Sequence, residues 1–545
     1  MQKVLTAAEM REVDRLTTEK YGVPSVILME NAAHAVVRTI TEKLGGGVNG
    51  KSALVLCGKG NNGGDGAAIA RILWQMGAKV DVLVWGEAPT GEGDAAGNFA
   101  ILSRLKGYIG FEQIQNKDQL SETWQNYRSE KKFDVIVDAV FGTGLDRPLT
   151  DEYFSFLDIA RDRKLDSHRP LIVAVDIPSG LNADGGEPSA CPLEADVTVT
   201  FTAPKIATVL PPAAHACGEV VVEAIGSPPE LIAGAGSRLF VAEENDVASW
   251  LWNSRFSDNS YKNKRGHALV IAGSENYSGA AVLSGNAAMR SGAGLVTIGT
   301  PRTSKDTITA RVLPEVMVRP LAETESGSVS EEAIAEAEAL LKNVDAVAIG
   351  SGLSTNESTG RFVRHLVEHR HMPTILDADA LTLLSPFAEW LSKAGTQNGE
   401  GQSLILTPHE GEFLRMLGTK DKELIKDRVG AVREFSQKFN VILVLKGERV
   451  LIGEPGGKVV INPSGNSGLG KAGNGDTLTG IIAGFAAQAA AMRIDMFETV
   501  VAAVYAAGLA GDIAEKKFGK RVMTASDVRE CLTETFEAFG HNFCE

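Results

Sequence analysis

The sequence predicts an α/β protein of two domains, each built on a mostly parallel sheet covered by helices. Three observations predict it. Short apolar runs of strand length alternate with segments of helical period, most of these runs end on glycine-rich or acid-bearing loops, and 545 residues exceed what one hydrophobic core organises. A hydrophobic fraction of 44%, 23% charged residues and 58 glycines fit a soluble globular enzyme rather than a disordered or fibrous chain. The net charge of −15 argues against general nucleic-acid binding, which needs basic surface to neutralise phosphates. Cys57, Cys191, Cys217, Cys531 and Cys544 are scattered and show no metal-binding spacing, so they read as reduced cytoplasmic thiols. The first residues carry acids early and no long apolar run, and the most apolar stretches, 481–492 and 500–511, read as too short to cross a bilayer.

Taken in order, residues 6–44 read as helices, with Thr6 as a cap and a break at Gly22-Val-Pro24. Ala53-Leu-Val-Leu-Cys57 is a strand, Gly58-Lys-Gly-Asn-Asn62-Gly-Gly-Asp65-Gly66 a loop, and 67–76 the helix after it. Gly58, Gly60 and Gly63 fill the places of a dinucleotide fingerprint, but the next strand, 79–85, does not end on the acid that should hold a ribose. Asn61, Asn62 and Asp65 can orient a substrate, coordinate a hard cation, or simply shape a turn. Two further strands, Asp134-Val-Ile-Val-Asp138 and Leu171-Ile-Val-Ala-Val-Asp176, run into Gly142-Thr-Gly-Leu-Asp-Arg147-Pro148 and Pro-Ser179-Gly180. In a parallel sheet such loops converge outside the carboxyl ends of the strands. Asp176 closes an apolar strand, where burial suits proton transfer and a structural turn role is the alternative. Residues 197–201 and 219–223 read as closing strands.

Pro, Gly and Ser enrich 226–247, which places a linker there and the domains at 1–227 and 228–545. A new α/β run follows: strands at 266–274, 344–350, 374–377, 404–407 and 441–445, and a hairpin over 450–461. His409 sits just past a strand between acids and either contacts a ligand or occupies a surface loop. Asp377 and Asp379 either help hold Mg²⁺ or begin a turn, and Lys446 either meets a phosphate or is solvated. The most informative stretch is Ser467-Gly-Leu-Gly-Lys-Ala-Gly-Asn-Gly-Asp476-Thr, a glycine-dense loop running into an apolar helix. The unpaired N–H groups of that helix's first turn favour an anion, and Asp476 either caps the helix or stands beside a phosphate as a base.

With Asn61-Asn-Gly-Gly-Asp65-Gly, Gly142-Thr-Gly-Leu, Asp176-Ile-Pro-Ser-Gly, Thr407-Pro-His-Glu-Gly-Glu and Ala472-Gly-Asn-Gly-Asp-Thr in one chain, the sequence resembles the bifunctional NAD(P)H-hydrate repair enzymes along nearly its whole length. The resemblance implies a Rossmann-like αβα epimerase domain and a ribokinase-like αβα domain that dehydrates the hydrate with ADP or ATP. The hydrates of NADH and NADPH are then substrates and the nicotinamide nucleotide is no redox cofactor. By the same resemblance Asn61, Asn62, Gly63, Gly64 and Asp65 hold the hydrate together with Gly142, Thr143, Gly144, Leu145, Asp146, Arg147 and Pro148. Asn62, Asp138 and Ser179 bind K⁺, and Asp176 contacts substrate and transfers a proton. In the second domain Gly294, Gly352, His409 and Asp476 line the hydrate site, Asp476 being catalytic, while Lys446, Gly447, Glu448, Arg449, Val450 and Gly475 hold the adenine nucleotide with its Mg²⁺. The expected partners are these small molecules and further copies of the chain in a homo-oligomer, without nucleic acid or membrane. The segment Tyr261-Lys-Asn-Lys-Arg-Gly266 departs from the family's pattern and receives no role. A sugar- or pyrimidine-type kinase and a non-catalytic nucleotide sensor are the competing readings.

Overall fold

The computed structural model describes residues 1–145, 147–163, 169–185, 191–256, 260–387 and 403–540. Contacts divide the chain into two compact units, Gln2–Ser237 and Arg238–Glu545 with Met1. The division therefore falls after Ser237 rather than after Ser227. The supposed linker is partly ordered as a helix, Pro229–Gly234, and a strand, Leu239–Val241.

In the first unit, α1 (Ala7–Glu19) and α2 (Ser25–Lys43) precede the sheet. Thr6 caps α1 through a reciprocal capping box with Glu9, which satisfies two orphan N–H groups at the helix start. Seven parallel strands follow: β1 (Ser52–Cys57), β2 (Lys79–Trp85), β3 (Gly110–Ile114), β4 (Val135–Ala139), β5 (Leu171–Val175), β6 (Val197–Phe201) and β7 (Glu219–Glu223), in the order β3-β2-β1-β4-β5-β6-β7. Both faces are apolar because strand side chains alternate. Ala53, Val55 and Cys57 join one core with α2, while Leu54 and Leu56 join the other with Phe156 and Leu157. The strand order reverses between β1 and β4, and such a switch opens a crevice at the carboxyl ends of the strands. The loop predicted after β1 is shorter than expected. Helix α3 (Asn61–Gln75) begins at Asn61, so the Asn61–Asp65 segment is helical. Glycines permit this close packing: a Cβ on Gly63 would lie 1.9 Å from the Gly58 carbonyl oxygen, and one on Gly58 2.1 Å from that of Val140.

In the second unit the strands are β8 (Leu239–Val241), β9 (His267–Ile271), β10 (Leu295–Pro301), β11 (Met317–Leu321), β12 (Ala346–Ile349), β13 (Thr374–Leu376), β14 (Leu404–Leu406), β15 (Ile442–Leu445), β16 (Val450–Gly453) and β17 (Val459–Asn462). Their order is β8-β17-β16-β15-β14-β13-β12-β9-β10-β11, and only β16 runs antiparallel to its neighbours. One face of this sheet, with Ala268, Val270, Ala348, Ile375 and Val444, packs on helices α4 (Ser278–Arg290), α5 (Asn474–Met492) and α6 (Met496–Phe518). Helix α6 corrects one expectation: it is 23 residues long with a mean hydropathy of 1.4, enough by length and composition to cross a bilayer. Most of that apolar window is buried against the protein's own core, Val500 to Ala503 among it, which is a sufficient physical reason for its composition.

Candidate functional sites

At the crevice of the first unit, Asp176 follows β5 with a left-handed backbone (φ 69°) and a carboxylate 9% exposed. Its Oδ1 accepts from Lys205 Nζ at 2.8 Å and Thr200 Oγ1 at 3.1 Å, and its Oδ2 accepts from the Thr143 backbone N–H at 3.2 Å. A Cβ on Gly142 would lie 3.1 Å from both Asp176 Oδ2 and Asn62 Oδ1, so the start of α3, the 142–145 turn and the end of β5 meet at one point. The sequence reading brought these three segments together correctly. Leu145 closes the turn back on the Gly142 carbonyl, and Gly144, Arg147 and Pro148 form its exposed rim. Asp146 lies outside the described residues. Gly64 is buried against Ala95, a packing position rather than a ligand surface.

Asp138 is fully buried at the end of β4 and accepts from the Ser179 N–H and hydroxyl at 2.7 and 2.6 Å. The Phe141 N–H in turn donates to the Ser179 hydroxyl at 2.9 Å, tying this pair to the 142–145 turn. Burial pushes the Asp138 carboxyl up to about 6, against the pull of its Ser179 and Val140 hydrogen bonds.

Sequence reasoning missed two members of this site. Lys205 is 1% exposed, and the strand-end position just after β6 was the available signal. Asp14 of α1 carries a buried Oδ1 without a hydrogen-bond partner; burial pushes its carboxyl up to about 6, Lys205 pulls it down and Asp176 pushes it up. Asp65 is also held well above the usual carboxylate range, by burial first and then by Asp176 and Asp14. The folded state thus binds protons at Asp14 that the unfolded chain has released, so this group's contribution to stability falls as pH rises from about 4 through about 6. A rise from 3.8 to about 6 corresponds to about 3 kcal/mol. Asp14→Asn is therefore expected to raise the melting temperature of the first unit at pH 7.5 by several degrees and to leave it unchanged at pH 4, as calorimetry at the two pH values will show.

In the second unit the glycine-dense loop ends at Gly473, whose left-handed backbone (φ 91°) starts α5. Asp476 lies in the first turn and caps nothing, which removes the capping alternative. Burial pushes its carboxyl up to about 6; a Ser351 hydroxyl pulls it down, and Asp377 adds to the rise. Asp377, 1% exposed, accepts from Lys446 Nζ at 2.7 Å through Oδ1 and from Thr479 Oγ1 at 2.7 Å through Oδ2. Both oxygens are thereby engaged, so Asp377 is neither a turn residue alone nor a free metal ligand, and Lys446 is not a solvated lysine. Burial lowers the Lys446 ammonium, but Asp377 and Glu412 outweigh it and hold it above its ordinary range. A Cβ on Gly475 would lie 3.6 Å from Lys446 Nζ, placing the helix start directly over this pair. Asp379 accepts from the Ser354 N–H at 2.8 Å and is raised by burial.

His409 caps the Glu410–Met416 helix: its Nδ1 accepts from the Gly411 N–H at 3.0 Å, while its ring stays mostly exposed. Its Nε2 lies 3.5 Å from Glu412, which in turn lies 4.0 Å from Lys446. Gly447, Glu448 and Arg449 form the β15–β16 turn up to Val450, and the Arg428 guanidinium donates to the Arg449 carbonyl. Gly352 packs against the start of α4 beside Ser351. Gly294 does not join this cluster. It packs on the 262–265 turn, with a would-be Cβ 1.9 Å from the Lys262 carbonyl oxygen, and its neighbour Gly292 meets Gln488. Gln488 is about 18 Å along α5 from Asp476 at 1.5 Å per residue, so Gly294, just before β10, is a packing glycine at the opposite, amino-terminal end of the strands.

Two α/β units, each with a carboxylate and a lysine paired at the carboxyl ends of parallel strands, are of the class of α/β proteins that bind ligands, nucleotides among them, in that crevice. Comparison with known proteins narrows this. The family described as "YjeF-related protein N-terminus" matches residues 25–207, and that described as "NAD(P)H-hydrate dehydratase" matches 268–534. The bifunctional NAD(P)H-hydrate repair enzyme Nnr of Moorella thermoacetica is 36% identical over 97% of this chain and 96% of its own length, and that of Thermofilum pendens 35% over 99% and 97%. A solved ADP/ATP-dependent NAD(P)H-hydrate dehydratase from Bacillus subtilis, co-crystallised with ATP and Mg²⁺, is 32% identical over 55% of this chain and 98% of its own, with a TM-score of 0.47. The chain belongs to the bifunctional NAD(P)H-hydrate repair enzyme family.

Proposed function

We propose that the first unit interconverts the R and S epimers of hydrated NADH and NADPH, and that the second dehydrates the S epimer at the expense of ADP or ATP. The observation that carries the second assignment is the first turn of α5, where Gly475 and Asp476 lie beside the Lys446–Asp377 pair. The hydrate's C6 hydroxyl is a poor leaving group. Asp476 takes its proton as the oxygen attacks the terminal phosphate, and the helix N–H groups stabilise charge developing on the transferred group. The phosphate ester then leaves from C6, pushed by the ring nitrogen, and loss of a C5 proton restores NAD(P)H. Mg²⁺, which binds through nucleotide phosphates, waters and one or two carboxylates, supplies charge neutralisation when bound. Asp379, which accepts from the Ser354 N–H, is the less engaged carboxylate for it, since each Asp377 oxygen already holds a partner, Lys446 or Thr479.

In the first unit the hydroxyl-bearing carbon is also bonded to the ring nitrogen, so epimerisation is ring opening followed by closure on the other face. Asp176 accepts the hydroxyl proton as the C6–N1 bond breaks. The proton that N1 gains is assigned to Asp65, whose carboxyl is held above the usual carboxylate range by burial first and then by Asp176 and Asp14. The oxygen-only set of Asn62, Asp138 and Ser179 suits a hard monovalent cation, and the buried Asp138 carboxylate fits one as its counter-charge. K⁺ there would anchor the 142–145 turn. The assignment is tested by giving the R epimer alone to the chain without nucleotide and following both epimers by chromatography: S must appear. Replacing K⁺ with choline should slow that conversion by about 10-fold or more, and Asp138→Asn should abolish the dependence on K⁺.

A further inference from the structure

Among the described residues of the first unit Lys205 is the most completely enclosed cation, and its hydrogen bonds show what it is for. Its ammonium donates to Asp176 Oδ1 at 2.8 Å, Thr200 Oγ1 at 2.8 Å and the Phe201 carbonyl at 2.9 Å. All three N–H bonds are consumed inside the protein, and the side chain is 1% exposed, so Lys205 has no donor left for a ligand. Thr200 donates to the same Asp176 oxygen that Lys205 holds, at 3.1 Å. Oδ1 is therefore saturated from the β6 side, and Oδ2 is left facing the Asn62–Gly142 point with a single contact, the Thr143 N–H at 3.2 Å.

The backbone alone does not fix this orientation. Asp176 sits at φ 69°, a conformation that an L-residue keeps only where its surroundings over-determine it. Its N–H is pinned to the Val199 carbonyl at 2.8 Å, which leaves the side chain to be set by its own partners. Charge also demands the lysine. Asp14 and Asp65 share this crevice with Asp176, and each is pushed up by the Asp176 charge, which the Lys205 ammonium offsets at Asp14.

We infer that Lys205, with Thr200, is the positioning residue of the epimerase site: the buried ammonium locks one oxygen of Asp176 so that the other is aimed at the substrate. This rests on the reading of Asp176 as the residue that takes the hydroxyl proton. Lys205→Met is expected to lower kcat for epimerisation by about 100-fold, the effect of misplacing a reacting group by about 1 Å, with KM changed less than about threefold. The decisive comparison is the double variant. If Lys205 acts through Asp176, adding Lys205→Met to Asp176→Asn lowers the rate no further; a purely structural role would add its loss. Thr200→Val, which orphans no charge, gives a second route should Lys205→Met not fold: kcat falls about 10-fold with KM unchanged, again with no further loss on Asp176→Asn. Normal kcat in folded Lys205→Met, or additive losses in both cycles, would overturn the inference. Full activity of Asp176→Asn itself would instead overturn the reading it rests on.

Discussion

Asp476→Asn is expected to abolish ATP-dependent recovery of reduced nicotinamide from the S hydrate, with a fall of about 10³-fold in kcat, while epimerisation by the same chain is unchanged. The expectation follows from placement. Asp476 stands in the first turn of α5 without capping it, and so has no structural hydrogen bond at the helix start to lose. Asparagine keeps the shape and removes the basic oxygen. The pH dependence follows from its surroundings: burial holds the carboxyl near 6, and a base must be ionised, so kcat/KM should fall as pH drops through about 6. In Asp476→Asn that acid limb should disappear from whatever rate remains. Stopped-flow absorbance of NADPH formation over pH 5 to 8 measures both.

Asp176→Asn is the second large effect, and it separates the two units. The variant should convert the S epimer to NAD(P)H at the normal rate and leave the R epimer untouched, with epimerisation down about 10²- to 10⁴-fold. Given a mixture of epimers and ATP, the native chain should consume both, whereas Asp176→Asn should stop when S is exhausted and R remains. Chromatography of the reaction at completion distinguishes the outcomes, and continued consumption of R would remove Asp176 from the mechanism. Asparagine also leaves Lys205 buried opposite a neutral group, so a melting curve of the variant is needed to show that the loss is chemical.

Much of this was legible in the sequence, because both units obey periodicity. The strands alternate apolar residues toward two cores, and their ends announce themselves with glycines, with the acids Asp138, Asp176 and Asp377, and with Lys446. What escaped depended on three-dimensional partnership. Nothing in the local pattern says that Lys205 turns inward to meet Asp176, that Thr479 and Lys446 each hold one oxygen of Asp377, or that Asp14 reaches the crevice from α1. The helical start at Asn61 was read as loop because Asn and Gly favour turns; the tight packing of Gly58 against Val140, and of Gly63 against Gly58, decides otherwise. Gly294 was carried into the site by resemblance alone, and the geometry sets it at the amino end of β10, against the 262–265 turn.

The central claim is that a carboxylate at the start of α5 removes the proton from the hydroxyl being phosphorylated. A crystal structure with a non-hydrolysable ATP analogue and the S hydrate tests it most directly. The account predicts the terminal phosphate over the first-turn N–H groups of α5 and the C6 hydroxyl within about 3 Å of an Asp476 carboxylate oxygen. A terminal phosphate bound away from that helix start, or a C6 hydroxyl turned from Asp476 toward another base, would contradict it.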